Sequence, residues 1–382
     1  MAIEQILEIL GKLVSFKSIT PKSSGSIEYI AELLSNLGFS CDIQIFGDKE
    51  EEKTVNLYAR YGRSSPNICF AGHIDVVPPM NESLWDYNPF ELKIIGETVY
   101  GRGTVDMKGA IACALVATLT YLKKYKEPTG SVSFLLTSDE EGYAKYGTKP
   151  MLEHLASKSE KIDFSILGEP TARVHLGDTI AIGRRGSVNF ILSITGKQGH
   201  VAYPHTAINP ITSLVKIATD LMNIKFDNGS EFFEKTNLEI ISFDVGNNVV
   251  NIIPEKATLK FNVRFNNLHT AKSIFNIVLE TIAKHEVMFD LQYESSAESF
   301  IQEYSEKMKK FADIVQKQCN VVPKIETNGG TSDARFIHKY SEIVEFGLNF
   351  DQAHKINEHT KISDLQTLYN VYYFSLVEFL QK

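Results

Sequence analysis

The chain has 382 residues, 43% of them hydrophobic, and its 39 basic side chains against 47 acidic ones leave a net charge of −8. That length exceeds the roughly 250 to 300 residues at which a single core stops growing, so two domains are expected. An acidic chain with no clustered basic stretch is a poor match for a phosphate backbone, and nucleic acid is excluded from the expected partners.

The N-terminal "MAIEQILEILGKLVSF" sets Ile3, Ile6, Leu7, Leu10 and Leu13 at helical spacing, with Glu4, Glu8 and Lys12 between them. That pattern predicts an amphipathic helix and not the unbroken apolar core of a signal peptide. "NICFAGHIDVV" then reads as a buried strand, "GAIACALVATLTYLKKY" as a buried helix, and "GSVSFLLTSDEEG" and "DFSILGEP" as strands that end in acids. Strands apolar throughout and separated by helices predict a sheet covered on both faces. The charge-free run of that buried helix, "AIACALVATLTYL", falls well short of the roughly 20 apolar residues a bilayer demands, so no membrane partner is expected. Cys41, Cys69, Cys113 and Cys319 show no CxxC spacing. That fits a reduced, cytoplasmic location and leaves any metal to His, Asp and Glu.

From about Leu176 the style changes. "DTIAIGRRGSVNFILSITG" and "ATLKFNVRFN" alternate like half-exposed antiparallel strands, with the helices "INPITSLVKIATDLMNI" and "TAKSIFNIVLETIAKHE" between and after them. The set predicts a small α+β domain of the ferredoxin-like kind. After it, the helix "SEKMKKFADIVQKQ", the strand "SEIVEFGL" and a terminal amphipathic helix resume the earlier α/β style. The expected organisation is therefore 1–178 and 296–382 as one α/β domain, with 179–295 inserted into it.

Acids and histidines cluster in "GHID" (His73, Asp75), "GRGTVDMKG" (Asp106), "SDEEG" (Glu140, Glu141), "GEP" (Glu169) and "AHKINE" (His354). Taken singly each has an ordinary explanation: a strand-end histidine, a solvated acidic turn, a cap for the helix that follows Asp106. Together they fall where a doubly wound sheet gathers its loops. Imidazoles and carboxylates suit a divalent ion such as zinc, and there are more of them than one ion needs, which points to two.

These motifs, with "GRRGS" (Gly183 to Ser187), "GHVAYPHTAINP" (Gly199 to Pro210), "GGTSDARF" (Gly329 to Phe336) and "HKINE" (His354 to Glu358), resemble the zinc-dependent deacylase and exopeptidase superfamily. That superfamily includes acetylornithine deacetylase, aminoacylase and glutamate carboxypeptidase, and the resemblance is to its succinyl-diaminopimelate desuccinylase branch. Ile74 stands where the family usually carries Thr, a change that touches no ligand. The resemblance implies a zinc-exopeptidase-like catalytic domain with an inserted ferredoxin-like dimerisation domain, a homodimer, and two Zn2+ per subunit, with Co2+ able to take the second position. It implies His73 and Glu169 on one ion, Glu141 and His354 on the other, Asp106 as the bridge, and a cis peptide after Asp106. Asp75 would accept the other ring N–H of His73, Glu140 would act as general base, and His200 would reach the partner subunit's site. Arg184, Tyr203, Asn251, Arg264, Gly330, Thr331 and Ser332 would face substrate. The implied reaction is hydrolysis of N-succinyl-LL-2,6-diaminopimelate in lysine and diaminopimelate biosynthesis. The alternatives are a related deacylase with another pocket, or a catalytically silent relative; an intact Glu140 argues against the latter.

Overall fold

The strands Asn67–His73, Ser131–Thr137 and Phe164–Leu167 are buried at every position. A strand with no exposed face must be covered on both sides. In the computed structural model, which describes residues 2–381, they form the centre of a mixed sheet. The order is Ser40–Phe46, Thr54–Tyr61, Ser131–Thr137, Asn67–His73, Phe164–Leu167, Glu342–Glu345, Thr179–Arg184. Asn67–His73 runs parallel to both neighbours, with His73 level with Thr137. The carboxyl ends of these strands therefore share one edge, and the acids that follow each strand are delivered to the same place.

Lys108–Lys124, buried along most of its length, packs against Ala2–Ser15 and Ile362–Leu380. The Asp106–Met107 peptide, just before this helix, is cis, as the resemblance implies. Among the described residues no helix is long and apolar enough to cross a membrane.

The chain divides into two units. The first holds Met1–Ile182, Gln302–Glu326 and Ser332–Lys382; the second holds Gly183–Ile301 and Thr327–Thr331. The second unit has its own sheet, ordered Asn237–Asp244, Lys256–Phe265, Gly186–Thr195, Met288–Ala297, with every neighbour antiparallel. With the helices Pro210–Met222 and Ala271–Ala283 this is the βαββαβ ferredoxin-like arrangement. Its core is built from alternate residues of the central strands, including Val188, Phe190, Leu192 and Ile194 facing Leu259, Phe261 and Val263, with Phe190 and Phe261 stacked at 4.8 Å.

The unit's boundaries differ from the sequence expectation of 179–295. The strand Thr179–Arg184 starts in the first unit's sheet, and the second unit runs on to Ile301 and takes in Thr327–Thr331. The sequence expectation also lacks Ser40–Phe46, Thr54–Tyr61, Asn237–Asp244 and Met288–Ala297. All but Thr54–Tyr61 are edge strands with mixed exposure, where the apolar signal is weakest.

Candidate metal centre

His73 ends its strand with only 1% of its surface exposed. Its Nδ1 lies 2.9 Å from the backbone carbonyl oxygen of Asp75. A ring N–H donated there leaves Nε2 with its lone pair directed into the site. Nε2 is 3.1 Å from Asp106 Oδ1, 3.7 Å from Glu169 Oε1 and 4.0 Å from Glu140 Oε2.

The role expected for the Asp75 side chain is thus taken by its own carbonyl; its Oδ1 is 3.7 Å from Nδ1, too far for a hydrogen bond. The fully buried carboxylate instead accepts the backbone N–H groups of Glu140, at 3.2 Å, and Glu141, at 3.1 Å, both through Oδ2. Asp75 therefore fixes the turn that presents both glutamates. Asp139 shapes the far side of the same turn by accepting the N–H groups of Ala144, Lys145 and Tyr146. Sequence reasoning passed over Asp139, although an Asp opening an acidic, Gly-containing turn is the signal for such backbone capture.

Asp106 turns its two oxygens in different directions, Oδ1 to His73 and Oδ2 to His354 Nε2 at 3.3 Å. His354 also meets Glu141 Oε1 at 2.8 Å. The histidine stands half-exposed in a left-handed backbone conformation, φ 62°. The elements that carry His73, Asp106, Glu140, Glu141, Glu169 and His354 belong to the first unit, and the structure brings all six side chains together.

The electrostatics are those of acids short of positive charge. Burial, then the neighbouring charges of Glu169 and Asp333, raise the Glu140 carboxyl well above its ordinary range. Burial pulls the His73 imidazole down, but Asp106, Glu140 and Asp75 together carry it well above its ordinary value. Hydrogen bonds donated to the Asp106 and Glu141 carboxylates push His354 up to about 10. Burial raises Asp75 to about 6. A bound cation would relieve that shortage. The donors fit that reading: His73, Glu140 and Glu169 offer ligand atoms within 4.8 Å of one another, as do His73, Asp106 and Glu141. Imidazole nitrogen with carboxylate oxygen and no thiolate is a zinc-compatible donor set.

The substrate-facing candidates, all but Ser332, lie in the second unit. Arg184 is buried, and a Cβ on Gly330 would sit 3.2 Å from its Nη1. A Cβ on Gly329 would sit 2.6 Å from Arg185 Nη2, so the pair of glycines lets the loop backbone close on two guanidinium groups. Arg185 gives Nη1 to Asn237 Oδ1 at 2.9 Å. Arg264 gives Nε to Asn262 Oδ1, while its buried Nη1 has no hydrogen-bond partner among the described residues. Burial and the charge of Arg185 lower its pKa. Thr331 is half-buried beside the glycines. His200, Tyr203 and Asn251 sit together at an exposed corner: the His200 and Tyr203 rings are 5.6 Å apart, and Val201 N–H donates to the Asn251 carbonyl. Ser332 is fully buried and donates its hydroxyl to Glu345 Oε1 at 3.1 Å, so that its backbone N–H is the group left for the expected substrate contact.

Residues 69–378 match the sequence profile of peptidase family M20/M25/M40. The chain is 54% identical over 376 residues to a succinyl-diaminopimelate desuccinylase of Rickettsia bellii, covering 97% of this chain and 96% of the relative. It is 53% identical over 379 residues to the enzyme of the same name from Rickettsia felis, covering 98% and 100%. Among solved structures, an M20 family metallo-carboxypeptidase from Sulfolobus solfataricus shares the fold with a TM-score of 0.79 at 19% identity, over 97% of this chain and 98% of that one. The aminopeptidase PepT of Bacillus cereus does so with a TM-score of 0.78 at 18% identity, over 100% and 99%. The motifs, the fold and these likenesses agree: the chain belongs to peptidase family M20/M25/M40, in the company of the succinyl-diaminopimelate desuccinylases.

Proposed function

We propose that the chain is a dinuclear zinc amide hydrolase that converts N-succinyl-LL-2,6-diaminopimelate and water into succinate and LL-2,6-diaminopimelate. The observation that carries this reading is the convergence of His73, Asp106, Glu140, Glu141, Glu169 and His354 at one sheet edge, in a chain whose full-length relatives bear the desuccinylase name. Two bound zinc ions supply the Lewis acidity that polarises the amide carbonyl and acidifies the attacking water.

His73 and Glu169 would hold one ion, Glu141 and His354 the other, and Asp106, whose two oxygens turn toward His73 and His354, would serve both. Glu140 lies beside His73 without a role as a ligand and is the general base. It takes a proton from the water as the oxygen bonds to the acyl carbon, and returns it to the nitrogen as the C–N bond breaks, so that the amine leaves neutral. Asp75 keeps Glu140 in position through the backbone. The substrate carries carboxylates at both ends. Arg184, Arg264 and the backbone at Gly330 and Thr331 supply donors for them, and the orphan Nη1 of Arg264 supports that assignment, because a buried guanidinium donor is costly to leave unmatched. Tyr203 and Asn251 face substrate, and His200 reaches the site of the partner subunit in a cytoplasmic homodimer joined through the second unit.

The test is turnover by the purified chain with added zinc, following amine release from N-succinyl-LL-2,6-diaminopimelate beside N-acetylornithine. A preference for the succinyl substrate of about a hundredfold in kcat/KM is expected, because unmatched buried polar groups penalise the wrong substrate strongly. The reverse preference would reassign the chain to acetylornithine deacetylation, and no turnover of either would refute the hydrolase reading.

A further inference from the structure

We propose that Glu358 is a positioning residue, a buried clamp that holds the backbone of the Asp106 loop in place and ties the two ion positions together. The inference rests on the two-ion reading above and concerns a residue that touches neither ion nor substrate.

Glu358 is completely buried. Its Oε1 accepts the backbone N–H groups of Val105, at 2.9 Å, and Asp106, at 3.1 Å. Its Oε2 accepts Arg102 Nη1 at 2.7 Å and the N–H of Gly103 at 3.0 Å. The carboxylate is fully used by the loop that leads into Asp106, and no oxygen is left for a ligand. Arg102 is buried in turn, stacked over the Trp85 ring at 5.1 Å, and also donates to the Lys355 carbonyl at 3.3 Å. The backbone repeats the tie: Gly101 N–H donates to the Glu358 carbonyl at 3.0 Å. One residue back, the side chain of Asn357 exchanges two hydrogen bonds of 2.8 Å with Asp86.

Removing a carboxylate from water is expensive, and a buried ion pair is weak evidence for stability alone. Here the acceptor is spent on main-chain donors flanking a ligand. His354 stands four residues before Glu358, and Asp106 hangs from it. The 3.3 Å separation of His354 Nε2 and Asp106 Oδ2 is therefore set by one rigid frame. A frame common to the bridging ligand and a terminal ligand of the second position makes the two positions interdependent: loosening it displaces Asp106 from both.

Glu358→Gln keeps the shape and fails electrically. Whichever way the amide is turned, its NH2 faces either the N–H pair of Val105 and Asp106 or the donors of Arg102 and Gly103. Outer groups that orient ligands typically change metal affinity by about 10- to 100-fold. Calorimetric titration of metal-free protein with zinc is expected to show both sites weakened by that factor in Glu358→Gln, with substrate KM unchanged and kcat lowered at saturating zinc. Lys355→Ala, which alters an exposed side chain of the same segment and keeps its carbonyl, should titrate like wild type. Independently of any ion, the amides of Gly103, Val105 and Asp106 in metal-free wild type should be protected from hydrogen exchange, and that measurement stands even if the variant fails to fold. Wild-type zinc affinity at both sites in Glu358→Gln, or exposed exchange at those amides, would overturn the clamp. A wild-type chain that takes up no zinc while those amides stay protected would instead overturn the two-ion reading and leave the clamp as a structural tie.

Discussion

Replacing Asp75 by alanine and by asparagine separates what its charge does from what its hydrogen bonds do. One oxygen, Oδ2, serves the N–H groups of both Glu140 and Glu141, at 3.2 and 3.1 Å. In Asp75→Asn the amide oxygen can take that place and keep both of these bonds, losing the charge and the longer 3.4 Å contact of Glu140 N–H with Oδ1, whereas Asp75→Ala leaves two donors at the edge of a buried site without an acceptor. Each such loss costs about 1 to 3 kcal/mol; water reaching the partly buried turn reduces the sum, and about 3 kcal/mol for the local opening is the working figure. At 1.36 kcal/mol per decade that is about a hundredfold faster exchange of the Glu140 and Glu141 amides, read by hydrogen exchange resolved to single residues. Asp75→Asn should stay within about threefold of wild type in the same measurement, about 0.7 kcal/mol. Equal exchange in the two variants would refute the argument, since the two bonds would then contribute nothing that the charge does not.

Glu140→Gln should retain its zinc by elemental analysis and lose about 10²- to 10⁴-fold in kcat; a variant that keeps more than about a tenth of the activity would remove Glu140 from the proton transfers. Replacing the second unit by a short linker should leave a monomer by light scattering that still binds zinc and turns over little substrate, and a truncated chain that still runs as a dimer would refute the assigned interface. Asp42 gives a pH signature far from the site. Burial pushes its carboxyl up, but bonds from Lys158, Gln44 and His154 outweigh this and hold it at about 2, below its ordinary 3.8. A depressed carboxyl contributes stability that is fully present above pH 4 or so and lost as pH falls toward about 2. Asp42→Asn should thus be less stable than wild type by about 1 kcal/mol near neutrality, after discounting for solvent screening, with the gap in urea midpoint closing as the pH approaches about 2. A gap unchanged down to about pH 2.5 would exclude the carboxylate as its source.

The cluster of acids and histidines was legible because most of its members lie against segments whose pattern is strong in the sequence: His73 ends one unbroken apolar run, Glu140 and Glu141 follow another, Glu169 a third, and Asp106 precedes the buried helix Lys108–Lys124, while His354 has no such neighbour. The ferredoxin-like unit was legible for the same reason in its central strands, where alternation from Val188 to Ile194 and from Ala257 to Phe265 marks one buried face. Bonds from side chains to the main chain were not legible. Asp75, Asp139 and Glu358 look in the sequence like further site acids, yet each is consumed by backbone N–H groups whose directions exist only after the turns have formed. The hydroxyl of Ser332 was illegible for the related reason that a loop serine gives no sign of which way it turns until Glu345, thirteen residues on, is packed beside it.

The path by which the chain leaves and rejoins the first unit has a bearing on how such proteins diversify. Gly183 and Arg184, where it departs, are paired with Ile301 and Phe300, where it comes back, and Gln302 N–H donates to the Ile182 carbonyl at 3.0 Å. Ends held one antiparallel rung apart, roughly 5 Å, need almost no chain to be joined. The segment between them can be exchanged, lengthened or lost as a cassette without asking the flanking strands to move, with Thr327–Thr331, the other stretch of the second unit, re-fitted to it. A lineage could therefore replace the side chains of the second unit while the sheet edge that bears the acids is inherited intact.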